Sequence, residues 1–371
     1  MNKQKKLLSI DGGGIRGIMA LRVLGRIETV LREQSGKPDL VLADYFDYIA
    51  GTSTGGIVAA GLALGKSVAE MEVFYRAEAS KMFTLSRNPI KRWIYSRYES
   101  GPLQKKLQEV YGEKTTLESG NLKTLLMLVM LNATTSSPWP VSSNPKAKYN
   151  DRLLNNDSNL DLPIWQLVRA SAAAPYYFDP EKVKVGSNEF LFYDGGLTSL
   201  NNPAFKLFQM ATLPSYRLEW PTGEDRMLLV SVGTGLLPKE IAKLRLRDKQ
   251  IGSTLMIALQ SLMFAGSAEV DMQCRSFGKV LSGSAIDSEV GDFVDMKPVG
   301  EKPLFTYMRY NALLTSKALE DYGCGHLSKC KFQLDHLPSI DPCTEIGDVI
   351  ANKQVKAEHF ALFPHVPKTA I

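Results

Sequence analysis

Apolar residues along the chain fall into short runs and longer periodic stretches. Lys6 to Ile10 reads as a short buried strand, and Tyr45 to Ala50 as a second that ends at Gly51. Leu125 to Leu131 and Met227 to Val232 are further apolar runs of strand length. Such runs suit strands that have both faces covered. Between them the pattern turns helical from about Ile15 to Leu31, and an Ala- and Gly-rich helix, Ser53 to Leu64, opens where the second strand stops. Strands alternating with helices predict an α/β fold with a mainly parallel sheet covered on both faces. Ser136 to Asn159, rich in Ser, Asn and Pro, reads as a long surface connection. Ser261 to Ala265 reads as a buried helix face. Neither a repeat nor a linker divides the sequence. One domain over 1–371 is therefore expected, with its motifs within 7–235. Residues 236–371 would complete the core or form a lid or regulatory region.

Composition narrows the classes. Hydrophobic residues are 44% and charged residues 22% of 371, ordinary for a soluble enzyme. A net charge of +5 gives a weak attraction to anionic surfaces and falls short of a nucleic-acid polymer binder. The basic N-terminus is followed by an apolar run that stops at Asp11. A secretory segment needs roughly 7–15 apolar residues and a membrane span about 20, so a cytoplasmic location is expected. Cys324, His326, Cys330 and Cys343 cluster without a CxxC pair. The cysteines read as reduced structural thiols, and no metal is expected.

Three glycine-bearing motifs carry the chemistry. In the first, Asp11-Gly12-Gly13-Gly14-Ile15-Arg16-Gly17, the residues Gly12, Gly14 and Gly17 also satisfy GxGxxG. A dinucleotide fold would need an acidic residue ending a strand about 20 residues on. Gly25 to Ser35 looks helical there, which puts Glu28 and Glu33 on a helix. Alternatively, consecutive glycines leave backbone N–H groups free for an anion, including an acyl-transfer oxyanion, with Arg16 adding positive charge. The second motif, Gly51-Thr52-Ser53-Thr54-Gly55-Gly56, contains GxSxG between a strand and a helix. That is the context of a nucleophile elbow, whose tight turn needs small residues at Gly51 and Gly55. The third, Asp194-Gly195-Gly196 after Phe190-Leu191-Phe192-Tyr193, is by itself equally a turn.

A serine hydroxyl needs a base. All four histidines (His326, His336, His359 and His365) lie near the C-terminal end, so a Ser53–Asp194–His326 triad stays formally open. It ranks second, because the surroundings of His326 give no hint of a catalytic loop. Asp194 is the general-base candidate carried by a glycine-flanked strand end. Burial and contact with the hydroxyl would be needed to make it effective.

DGGGIRG, GTSTG and DGG in this order resemble the signature of patatin-like phospholipases. Ala170-Ser171-Ala172-Ala173-Ala174-Pro175-Tyr176-Tyr177-Phe178, Asn201-Asn202-Pro203-Ala204 and Ser231-Val232-Gly233-Thr234-Gly235 extend the similarity over about Leu7 to Gly235. The resemblance implies a three-layer α/β/α fold and a Ser53–Asp194 dyad without a catalytic histidine. It also implies an oxyanion hole of the Gly12, Gly13 and Gly14 N–H groups near Arg16. Hydrolysis of fatty-acyl esters in membrane phospholipids or other lipids would follow, with no calcium or other cofactor. Transient association with the inner face of the membrane is expected, and Arg87 to Tyr98, with four cations among Trp93, Ile94 and Tyr95, suits such an interface and equally a solvated amphipathic helix packing on the core. Bacterial members of similar size include anti-phage effectors switched on by cyclic di- or oligonucleotides. A cyclic dinucleotide activator is accordingly an expected partner, and a homo-oligomer is compatible with the sequence. Two other classes stay open. A nucleotide-binding module using the glycine loop would leave GTSTGG and DGG unexplained. Intact Ser53 and Asp194 count against an inactive scaffold.

Overall fold

The computed structural model describes residues 4–82, 98–154, 156–237 and 251–367. Most of the Arg87–Tyr98 stretch lies outside them. The described strands are β1 (Lys5–Ile10), β2 (Tyr48–Thr52), β3 (Leu125–Asn132), β4 (Ser137–Ser142), β5 (Glu181–Val185), β6 (Asn188–Asp194), β7 (Met227–Val232), β8 (Lys279–Ser282) and β9 (Thr306–Tyr310). They form one sheet in the order β5-β6-β3-β2-β1-β7-β9-β8, with β4 paired to β3. The pairings from β3 through β2, β1, β7 and β9 to β8 are parallel, whereas β4, β5 and β6 pair antiparallel.

Alternate side chains of each strand enter different cores. Leu8, Ile10, Ile49, Leu128 and Val230 join helices Gly17–Ser35, Thr54–Ala63 and Ile340–Gln354 on one face. Leu7, Tyr48, Ala50, Val129 and Leu229 meet helices Ala204–Thr212 and Ile251–Phe277 on the other. The result is a three-layer α/β/α architecture with a mainly parallel sheet. Residues beyond 236 supply β8, β9 and the helix Ile340–Gln354, which packs along Gly17–Ser35. No helix among the described residues is long and apolar enough to cross a membrane.

Two expectations need correction. The first residues of the Ser136–Asn159 connection form β4, paired with β3. Pro138 and Pro140 sit at alternate positions opposite Leu131 and Val129. Their missing N–H groups can therefore both face the open edge, where a strand tolerates proline. Ser261–Ala265 lies on the helix Ile251–Phe277, but Met263 alone of the five is buried, while Leu262 and Ala265 are exposed.

The sheet also brings the second and third motifs together. Thr52, the last residue of β2, lies opposite Val129 of β3. The next residue of β3, Met130, lies opposite Asp194, the last residue of β6. Because β4 occupies the other edge of β3 over Met127–Asn132, β2 and β6 share one edge and meet end to end there. Ser53 follows one strand end and Asp194 is the other.

Candidate active site

Ser53 stands between β2 and the helix Thr54–Ala63 with φ 54° and ψ −124°. That region is costly for a residue with a side chain, and such strain is characteristic of a nucleophile elbow. Close approach explains the flanking glycines. A Cβ on Gly51 would lie 2.1 Å from Gly55 O, and one on Gly55 would lie 2.3 Å from Ile10 O. The Ser53 N–H donates to Ser171 Oγ at 2.9 Å, and Ser171 Oγ donates to Val129 O at 2.6 Å. This fully buried hydroxyl ties the strained turn to β3.

Ser53 Oγ donates to Asp194 Oδ2 at 2.6 Å, and Asp194 Oδ1 accepts from Gly196 N–H at 2.7 Å. Gly195 must be small because a Cβ there would lie 2.4 Å from Val129 O. Burial pushes the Asp194 carboxyl up to about 6, opposed by the Ser53 and Gly196 hydrogen bonds and the charge of buried Arg169. A carboxylate with that affinity is a better proton acceptor at neutral pH than an ordinary aspartate.

The glycine loop follows β1. Gly12 O accepts from Thr234 Oγ1 at 2.7 Å and from Asn201 Nδ2 at 3.4 Å. Gly13 O accepts from the Arg16 N–H at 3.2 Å, with Arg16 Nε at 3.5 Å. In a trans peptide the carbonyl and the next N–H point in opposite directions. Pinning these two carbonyls therefore turns the Gly13 and Gly14 N–H groups the other way, and neither has a hydrogen-bond partner among the described residues. Gly12 differs from the expectation: its N–H donates to Asn201 O at 3.1 Å and is not available. Arg16 is buried, and burial pulls its guanidinium below the usual range; it faces a small chamber behind the loop. Asp11 anchors the loop through a buried pair with Arg309 at 2.6 and 2.9 Å.

Gly14, Ser53 and Asp194 open onto a cavity of about 60 Å³ walled by Ile57, Leu103, Tyr177, Phe178 and Leu334. The apolar wall suits a hydrocarbon chain. His326 is elsewhere, 61% exposed and 3.1 Å from Glu345, so it does not join Ser53 and Asp194. All four cysteines are free, and no cluster of three His, Cys, Asp or Glu side chains among the described residues could hold a metal.

Ser171, Asn201 and Thr234 had no role in the reading of the sequence, although all lie in segments that carried the resemblance. Arg309 had a fainter signal, a charge in the middle of the apolar run Phe305–Tyr310.

A strained serine bonded to a buried carboxylate, beside two unpartnered N–H groups, is an arrangement able to carry out acyl transfer. Residues 8–208 match the family model described as patatin-like phospholipase, and the chain belongs to that family. It is 34% identical over 216 residues to the cGAMP-activated phospholipase of Vibrio cholerae serotype O1, covering 55% of this chain and 57% of that protein. Against the cGAMP-activated phospholipase of Escherichia coli strain TW11681 it is 30% identical over 234 residues, 62% of each chain. Against Patatin-17 of Solanum cardiophyllum it is 30% identical over 246 residues, 62% of this chain and 60% of that one. The chain thus spans less than two thirds of the length of these relatives.

Proposed function

We propose that this protein hydrolyses fatty-acyl esters of membrane phospholipids through a Ser53–Asp194 dyad. The observation that carries the reading is the 2.6 Å hydrogen bond from Ser53 Oγ to a buried carboxylate at the mouth of an apolar cavity. Asp194 takes the Ser53 proton as Oγ attacks the acyl carbonyl, and the Gly13 and Gly14 N–H groups stabilise the oxyanion. The leaving lysolipid oxygen takes that proton. Water then cleaves the acyl-enzyme with Asp194 again as base. Substrate would be met at the cytoplasmic face of the membrane.

The same proposal includes activation by a cyclic dinucleotide. Two relatives are named as cGAMP-activated phospholipases. A cavity of about 60 Å³ holds a few waters, so a long acyl chain would have to extend past it or part its walls, a step a bound ligand could control. Residues 236–371 are read as part of the same single domain, since they add strands to its sheet.

Fatty-acid release from mixed phospholipid vesicles, with and without a panel of cyclic dinucleotides including cGAMP, tests the reading. Ser53→Ala and Asp194→Asn are each expected to lower the rate at least on the order of 10³-fold, and His326→Ala to leave it unchanged. An active Asp194→Asn beside a silent His326→Ala would replace the dyad by a triad. Equal release with and without every nucleotide would remove the activation.

A further inference from the structure

We infer that Asn201 holds the water that cleaves the acyl-enzyme and draws it from a polar chamber behind the glycine loop; this rests on the dyad reading above. The chamber, about 30 Å³, is lined by Arg16, Asn201, Thr234, Gln260 and Ser267, with Met263 shared between it and the acyl cavity. A water needs roughly 10–15 Å³ of such space and two to four polar partners.

The orientation of the Asn201 amide is fixed by its neighbours. Its Nδ2 faces Gly12 O at 3.4 Å, which only accepts, and Ser267 Oγ at 3.0 Å. Oδ1 therefore points the other way. Asn201 is 4% exposed, and this oxygen has no hydrogen-bond donor; Gln260 Oε1 in the same chamber also lacks one. Buried acceptors left unpaired are costly, and water in the chamber can donate to each.

The place of Oδ1 links the chamber to the chemistry. A methyl group on Gly12 would lie 2.5 Å from Asn201 Oδ1 and 3.2 Å from Ser53 Cβ. One on Gly196 would lie 3.1 Å from Asp194 Oδ1 and 3.3 Å from Asn201 Oδ1. The oxygen thus lies near both nucleophile and base, bonded to neither. An acyl chain in the apolar cavity would displace water from that side, which leaves the chamber as a source of water. Held by Asn201 Oδ1 through one hydrogen, the water gives its other proton to Asp194 as its oxygen bonds to the acyl carbon. The tetrahedral intermediate then breaks its bond to Ser53 Oγ, which takes the proton back from Asp194, and the fatty acid leaves.

Stopped-flow hydrolysis of p-nitrophenyl butyrate in the presence of cGAMP, with intact-protein mass spectrometry, separates acylation from deacylation. Asn201→Leu is expected to slow the later phase about 10- to 100-fold more than the acylation burst, and accumulate butyryl-Ser53. Gln260→Leu, at a residue that lines the chamber and has no hydrogen bond to the glycine loop among the described residues, should change the same phase in the same direction by a smaller factor. Equal slowing of both phases would overturn the inference and make Asn201 a support of the loop, as would deacylation at the wild-type rate in both variants. Failure of folded wild type to form any adduct that Ser53→Ala abolishes would bring down the dyad reading, and this inference with it.

Discussion

A carboxyl group kept out of water beside a serine sets the behaviour of single residues here. On the dyad reading, with Asp194 pushed up to about 6, the ionised base fraction, and with it kcat, should rise with pH to a half-maximum near 6. The Arg169 charge favours the ionised form, so Arg169→Met is expected to move that midpoint upward; a pH–rate profile reads the shift. Stability runs the opposite way. A carboxyl whose folded affinity is raised contributes most below its ordinary value near 4, and that contribution is lost as pH rises through about 6. Above that, a buried charge burdens the fold. Asp194→Asn carries no such charge and should be more stable than wild type at pH 7.5, by no more than about 3 kcal/mol. The advantage should vanish near pH 4, as scanning fluorimetry across pH would show.

Elements decide whether serine and aspartate meet. β3 is longer than β2, and β6 takes up the edge that β2 leaves, so the dyad distance is set by consecutive positions on one strand, Val129 and Met130. Gly195→Ala would press a methyl group on Val129 O and push the end of β6 outward. The expected result is a loss of about 10²-fold in kcat with an unchanged circular dichroism spectrum. The sequence marked both strand ends by their glycines, because a tight turn demands small residues wherever it occurs. It could not show that β6 runs antiparallel on the same edge as β2. Register depends on which strand lies alongside, and no single run of residues records its neighbour. β4 was missed because its prolines look like a loop until the open edge is known. Asn201 and Ser171 could be noticed but not assigned, since their partners, Gly12, Ser267 and Val129, are distant in sequence.

Over the whole molecule, the glycine loop is clamped by a residue distant in sequence. Asp11 and Arg309, both almost wholly buried, form a two-point ion pair, and Arg309 also donates to Ser231 Oγ at 2.7 Å. Removing one partner leaves a buried charge, so Arg309→Met should cost about 3–5 kcal/mol. Asp11→Leu combined with Arg309→Met should cost less than Arg309→Met alone; urea titration of the set decides. The two members are 298 positions apart. A ribosome adding about 5–20 residues per second needs tens of seconds to make the second after the first. On the dyad reading, a nascent chain therefore carries its serine and aspartate long before its oxyanion loop is anchored, and a prematurely terminated one never anchors it. On that reading the site gains its anchored oxyanion loop only once Arg309 has been made and has reached Asp11.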